Sequence, residues 1–129
     1  MTTYSLFVTS SPTDHAGAYT ALQFAQALLK LGHHIKGVFF YQQGVHNANS
    51  FNHPLADETN LTQEWITLAN YNNVELHICV TAASKRGVRN GEEAAENNST
   101  HYNLEPPFLA SGLGEWVSLV KQSDKVVQF

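Results

Sequence analysis

The fold class follows first from one segment of the chain, His34-Ile35-Lys36-Gly37-Val38-Phe39-Phe40-Tyr41. Its second half is almost continuously apolar, which is typical of a strand covered on both faces, as in parallel sheets. A β-rich run, Tyr4–Thr9, and a helical pattern from Ala16 to Leu31 come before it. Gly32 then ends the helix as a left-handed cap. Strand, helix and strand in this order predict a right-handed βαβ unit.

The rest of the chain continues to alternate between helical and strand patterns. We expect a polar loop at Gln42–Asn49, which is either a structured binding or interface loop or a solvated connector. The other expected elements are a helix at Asn60–Tyr71, a third strand at Val74–Val80, an acidic helical turn at Gly91–Glu96, a last helix in Phe108–Val120 that begins near Ser111–Gly112, and a terminal strand at Lys125–Phe129. This order predicts a single-domain α/β fold over residues 1–129, with three layers and a mainly parallel sheet of the Rossmann-like or flavodoxin-like kind. Sites in such sheets lie outside the carboxyl ends of the strands.

Composition excludes several classes of function. Seven basic and eleven acidic residues give a formal net charge of −4, which disfavours nucleic acid as a direct partner because phosphate binding needs a basic surface. No apolar run has the length of a membrane span, and the N-terminus lacks a basic region followed by a cleavable apolar core. The single cysteine cannot form an internal disulfide, which agrees with a reducing compartment. We therefore expect a cytoplasmic protein.

Cys79 is the residue with the clearest chemical potential. It lies where the third predicted strand gives way to the small, polar segment Thr81–Ser84, and a thiol on such a connection can face solvent while the scaffold holds it still. Lys85 and Arg86 follow closely, and together with a helix N-terminus after Cys79 they would favour the reactive thiolate. The alternative is a small buried hydrophobe, which is a common role for a free cysteine.

Nucleotide and metal binding have weaker support. The loop Ser10–Gly17 lacks both the Gly-x-Gly-x-x-Gly and the Gly-Lys-Ser/Thr motifs, although a flavodoxin-like loop of Ser and Thr hydroxyls leaves FMN open. The seven histidines show no ligand spacing, and one cysteine excludes the common structural zinc sets. We therefore expect neither a metal nor an organic cofactor.

Two further groups of titratable side chains could form a site. His77 precedes Cys79 by two residues, so both side chains point to the same face of a strand, where His77 either tunes the thiol or packs as a structural histidine. A cysteine–histidine hydrolase also needs a base within reach of the sulfur and an oxyanion hole, and no pattern specifies either. Asp57 and Glu58 fit the start of a helix better than a catalytic carboxylate pair.

Five blocks of the chain resemble the DsrE family, namely Phe24–Leu28, Val38–Asn49, Leu76–Val88, Ser111–Gly114 and Asp124–Phe129. The resemblance implies a fold of the DsrE type and a sulfurtransferase that works in sulfur relay. In that family, the cysteine at the Cys79 position accepts sulfane sulfur as a persulfide from a small donor protein and passes it to an acceptor protein. Lys85 and Arg86 would then stabilise the thiolate or persulfide, or contact a partner.

The resemblance also implies partners. The most similar members assemble with two homologous subunits as a dimer of heterotrimers, and their relay ends in 2-thiolation of the wobble uridine of certain tRNAs. The segment Thr100–Phe108 departs most from the family pattern, which affects the choice of partner more than the chemistry. Two alternatives stay open: a DsrE-like subunit of dissimilatory sulfur metabolism, and a non-catalytic α/β module that scaffolds an oligomer or binds a small ligand.

Overall fold

The computed structural model describes residues 1–129 as one sheet with helices on both faces. The strands are β1 (Thr3–Val8), β2 (His34–Phe40), β3 (Glu75–Cys79), β4 (Phe108–Ser111) and β5 (Lys125–Gln128). The α-helices are α1 (Gly17–Lys30), α2 (Leu61–Asn72), α3 (Val80–Ser84), α4 (Gly91–Glu96) and α5 (Leu113–Lys121), and a 3₁₀ helix, Gln42–Ala48, follows β2. The strand order is β4-β3-β2-β1-β5 and every pair is parallel. The predicted α/β fold is confirmed, and its sheet is parallel throughout.

One face of the sheet is covered by α1 and α2. The ring of Phe40 meets Trp65 of α2 at a centroid distance of 5.3 Å and Phe108 of β4 at 6.0 Å. The strand residues that share this core are fully buried: Leu6, Val8, Val38, Phe40, Leu76 and Ile78. Because side chains alternate along a strand, the intervening residues point to the opposite face.

The opposite face is covered mainly by α5. Trp116 packs its ring at 4.7 Å from that of Phe7 and 5.9 Å from that of Phe39. Gly37 permits this close packing, since a Cβ added there would lie 2.9 Å from Leu119 Cδ2. A set of apolar side chains on and beside α5 stays exposed, and we call it the α5 surface: Leu109, Leu113, Val117, Val120 and Val126.

Local signals in the sequence account for the ends of the two long helices. Gly32, with a φ of 86°, follows α1 and takes the left-handed conformation that favours glycine. At the start of α2, the Asn60 side chain accepts a hydrogen bond of 3.1 Å from the backbone N–H of Gln63, which satisfies a donor that has no partner within the helix. No helix in the protein has both the length and the apolar character needed to cross a membrane.

Two segments differ in detail from their sequence-based description. The last helix begins close to the predicted start near Ser111–Gly112, but Phe108–Ser111, which was grouped with it, forms the strand β4 and pairs with β3. Four residues are too few to show the alternation of a strand, and the pairing that creates β4 is distant in sequence. The predicted loop at Gln42–Asn49 is structured: most of it is the 3₁₀ helix, in which Gly44, Val45 and Asn47 are buried.

Candidate active site

Cys79 is the last residue of β3 and directly precedes α3. Its backbone is extended, with φ −65° and ψ 110°, so the alternation of β3 continues through it. The side chain is only 4% exposed and belongs to the hydrophobic core. The position at a strand end is therefore as predicted, and of the two environments that the sequence left open, facing solvent or buried, the isolated chain has the buried one. The reason is local packing, because the 3₁₀ helix lies against both β3 and α3.

A polar network lies on the same strand as Cys79. His77 is 5% exposed, and its two ring nitrogens both have partners: Nδ1 lies 2.7 Å from Ser111 Oγ, and Nε2 lies 2.9 Å from Glu75 Oε1. Glu75 in turn lies 3.7 Å from Lys36 Nζ on β2. We call Glu75, His77 and Ser111 the His77 network. It connects a buried imidazole with a carboxylate that reaches the surface.

Electrostatics fix how the protons are arranged in this network. The hydrogen bond from His77 lowers the pKa of Glu75 below its usual value of 4.5; partial burial opposes the shift, and the charge of Lys36 adds to it. Glu75 is therefore a carboxylate at neutral pH and accepts the Nε2–H of His77. In neutral His77, Nδ1 then has no proton and accepts the hydroxyl hydrogen of Ser111.

The register of the sheet brings the network next to Cys79. Glu75, His77 and Cys79 alternate along β3 and so share one face. Ser111 is the partner of Cys79 in the β3–β4 pairing, and its bond to His77 places its side chain on that face. Neighbouring strands are about 4.8 Å apart, so Ser111 is the cross-strand neighbour of the cysteine, although its hydroxyl bonds to His77 and Leu109 and not to Sγ.

The structure places Lys85 and Arg86 at the end of α3 opposite Cys79. Lys85 and Arg86 follow the C-terminal end of α3, and a rise of about 1.5 Å per residue puts Lys85 roughly 9 Å along the chain from Cys79. Arg86 donates from Nη1 to the carbonyl of Ala82 at 3.0 Å, where it offsets the negative end of α3. No hydrogen bond connects either residue with Cys79.

The surface beside α3 is acidic. A groove runs between α3 and α4, lined by Val80, Thr81 and Ser84 on one side and by Glu92, Glu93 and Glu96 on the other. Ser84 Oγ donates to Glu93, which ties the two helices together. A partner that reaches the segment after Cys79 therefore meets carboxylates as well as Lys85.

Sequence reasoning identified Cys79 and weighed His77, but it missed Glu75 and Ser111. The spacing Glu75-x-His77-x-Cys79 was a usable signal, since it puts all three on one face of a strand. Ser111 gave no such signal because it was placed at the start of the last helix and not on a strand. No three His, Cys, Asp or Glu side chains are arranged to hold a metal ion.

A parallel α/β sheet with a lone cysteine at the carboxyl end of an inner strand agrees with the family resemblance, and the chain belongs to the DsrE/DsrF-like family, which it matches over residues 3–129. It is similar over its full length to proteins named sulfurtransferase TusD. That of Pectobacterium carotovorum (strain PC1) is 46% identical over 129 residues and 100% of both chains. That of Serratia proteamaculans (strain 568) is 44% identical, again over 100% of both chains.

More distant proteins agree. The sulfurtransferase TusD of Yersinia pestis (strain Pestoides F) is 41% identical over 126 residues, which are 98% of this chain and 96% of that protein. The crystal structure of the ychN protein from E. coli superposes with a TM-score of 0.78 over 100% of both chains at 18% sequence identity, which shows a shared fold. The resemblance to the DsrE family, the fold of the DsrE type and the expectation of a sulfurtransferase are confirmed.

Proposed function

We propose that residues 1–129 form a single sulfur-relay domain in which Cys79 accepts sulfane sulfur as a persulfide and passes it to an acceptor protein. The observation that carries the proposal is the position of Cys79. The only thiol of the chain ends an inner strand of a parallel sheet, at the sheet edge where sites of this fold class lie, in a chain similar throughout to proteins named sulfurtransferase TusD.

The chemistry needs one cysteine and no cofactor. The Cys79 thiolate attacks the outer sulfur of a donor persulfide, a new S–S bond forms on Cys79, and the bond to the donor sulfur breaks and leaves a donor thiolate. The acceptor thiolate then attacks the outer sulfur on Cys79 in the same way. Each step exchanges one S–S bond for another, so no oxidant or reductant is consumed.

The burial of Cys79 sets a condition on both steps. Only 4% of Cys79 is exposed to solvent. Its sulfur atom therefore cannot meet the sulfur of another protein unless part of the structure moves. We propose that docking of a partner against α3 and the 3₁₀ helix opens access to Sγ. In this proposal Lys85, at the exposed end of α3, contacts the partner, which is one of the two roles that the sequence left open for it. Arg86 holds α3 through its bond to Ala82.

The proposal includes the assembly implied by the family. We propose TusB-like and TusC-like homologous subunits in a dimer of heterotrimers, a TusA-like donor and a TusE-like acceptor, in the cytoplasm. The α5 surface supports an assembly, because exposed apolar side chains clustered on one face are typical of an interface. The relay would serve 2-thiolation of the tRNA wobble uridine, and the net charge of −4 fits a subunit that hands sulfur to proteins rather than to RNA.

A second candidate is a non-catalytic scaffold subunit, favoured by the burial of Cys79. Intact-mass spectrometry after exposure to a persulfide donor separates the two. The relay predicts a gain of about 32 Da, reversed by reductant and lost in Cys79→Ser. Circular dichroism shows that the variant is folded. The scaffold function is favoured if the wild-type chain gains no mass while bound to its partner subunits and its thiol resists alkylation.

A further inference from the structure

The proposed sulfur transfer leaves one buried titratable group without a role. His77 is 5% exposed, and a histidine in an apolar layer costs free energy unless its nitrogens are hydrogen-bonded. Here both nitrogens are bonded, to Ser111 and to Glu75. This arrangement of hydroxyl, imidazole and carboxylate is one that can accept a proton and stabilise the resulting charge.

The hydroxyl of Ser111 is the part of the network that lies beside the cysteine. Ser111 is opposite Cys79 in the parallel pairing of β3 with β4, and both side chains are on the face that carries His77. The hydroxyl hydrogen has two acceptors, His77 Nδ1 at 2.7 Å and the carbonyl of Leu109 at 3.3 Å. Ser111 can therefore change its donor direction by rotation about one bond, as a proton carrier must.

We propose that the His77 network takes up the proton that Cys79 releases when it becomes a thiolate. This inference rests on the proposed function of Cys79. Once partner docking brings Sγ within hydrogen-bond reach of Ser111 Oγ, the S–H bond breaks and its proton passes to Oγ, while the original hydroxyl proton of Ser111 passes to Nδ1 of His77. Ser111 ends neutral, His77 ends as an imidazolium paired with the Glu75 carboxylate, and the negative charge is on Sγ. The proton returns by the same route when Cys79 is a thiol again.

The charges around His77 agree with this role. On β3 it faces Glu75, and from β2 only Lys36 approaches, through Glu75 at 3.7 Å. Phe39 of β2 stacks on the imidazole at 6.5 Å, and β4 contributes no titratable residue. Glu115 and Lys121 of α5 are exposed and form no ion pair with His77. Tyr41, after β2, packs on Phe7. Glu75 is thus the one charged group bonded to the imidazole.

The test is the pH dependence of the rate at which a persulfide donor loads Cys79 in the chain bound to its partner subunits, the state in which Sγ becomes accessible, and loading is followed by intact mass. In wild type the network supplies the thiolate near neutral pH, whereas an unassisted thiol with a pKa of about 8.5 is only about 3% ionised at pH 7. We therefore expect His77→Asn to load up to about 30-fold more slowly at pH 7 and to approach the wild-type rate above about pH 9. His33→Asn is the matched control, since His33 is half-buried and accepts only from the backbone N–H of Thr2.

A second pair of variants covers the case in which His77→Asn does not fold. Ser111→Ala removes the hydroxyl and should reproduce the slow loading at pH 7, while Ser111→Thr keeps the hydroxyl in a strand that suits β-branched residues and should restore the rate. Identical pH profiles for wild type and folded His77→Asn, or for Ser111→Ala and Ser111→Thr, would overturn the relay of protons. Failure of the wild type to load at any pH would instead overturn the proposed function of Cys79.

Discussion

The substitution Gly44→Ala tests whether the 3₁₀ helix packs against the end of β1 as closely as in the structure. A Cβ on Gly44 would lie 2.0 Å from the carbonyl oxygen of Val8, 2.8 Å from its carbonyl carbon and 3.2 Å from Thr9 Cα. All three are backbone atoms of a strand end, so no flexible side chain can give way. The same carbonyl accepts the 3.0 Å hydrogen bond from the backbone N–H of Tyr41, which would be broken or displaced in Gly44→Ala.

The magnitude follows from those two effects. Overpacking costs about 1–3 kcal/mol, and loss of a buried hydrogen bond adds about 1 kcal/mol, so Gly44→Ala should destabilise the protein by about 3 kcal/mol. With an unfolding entropy of about 2.1 cal/mol/K per residue, this lowers Tm by roughly 10 °C. Because the 3₁₀ helix also packs against β3 and α3, the thiol of Cys79 should react faster with an alkylating agent in the folded variant.

Thermal and urea unfolding, followed by circular dichroism, measure this prediction. Gly114→Ala is the matched control, because a Cβ there meets nothing within 4 Å and alanine is the better residue in a helix by about 1 kcal/mol. It should raise stability slightly. If Gly44→Ala is as stable as the wild type within about 0.5 kcal/mol, the close approach of Gly44 to Val8 is wrong, and with it the account of why Cys79 is buried.

Three other changes test separate parts of the structure. Asn60→Ala removes the cap of α2 and should cost about 1 kcal/mol in urea unfolding; no loss would contradict the cap. Glu75→Gln should lower stability at pH 7 by about 0.5 kcal/mol after solvent screening. Because the pKa of Glu75 is lowered in the folded protein, its carboxylate stabilises the fold above its usual pKa, and this stabilisation is lost as pH falls through the folded-state pKa. The free energies of unfolding of wild type and variant should therefore converge in acid, and a difference that stays constant with pH would contradict this. Val117→Glu should leave the chain folded but weaken its co-purification with the homologous subunits. The control Lys30→Glu, at an exposed residue, should not weaken co-purification. If Val117→Glu assembles as well as the wild type, the α5 surface is not the interface.

The sheet could be predicted because its inner strands show their burial in the sequence. The run from Val38 to Phe40 is apolar on both faces of the sheet, and Leu76 and Ile78 mark the next strand. Helix ends were also readable where single residues specify them, as Gly32 does. These are local signals, since burial and backbone conformation act on each residue directly.

Strand β4 and the site could not be predicted in full because they depend on pairing across the sheet. Ser111 becomes a neighbour of Cys79 only through the β3–β4 register, which no local pattern encodes. The burial of Cys79 likewise depends on how the 3₁₀ helix packs against the end of β3. Lys85 and Arg86 were close to Cys79 along the chain, but a helix that begins at Val80 carries them away from it.

The most direct test of the account is the discharge of a loaded chain. Wild-type protein is first charged with sulfane sulfur, freed of donor, and then mixed with a purified TusE-like acceptor while the intact masses of both proteins are followed. The account predicts that this chain loses about 32 Da as the acceptor gains the same mass, and that Cys79→Ser neither loads nor transfers. A persulfide that stays on Cys79 in the presence of the acceptor, or an acceptor charged equally well by Cys79→Ser, would contradict the role of Cys79 as a sulfur carrier.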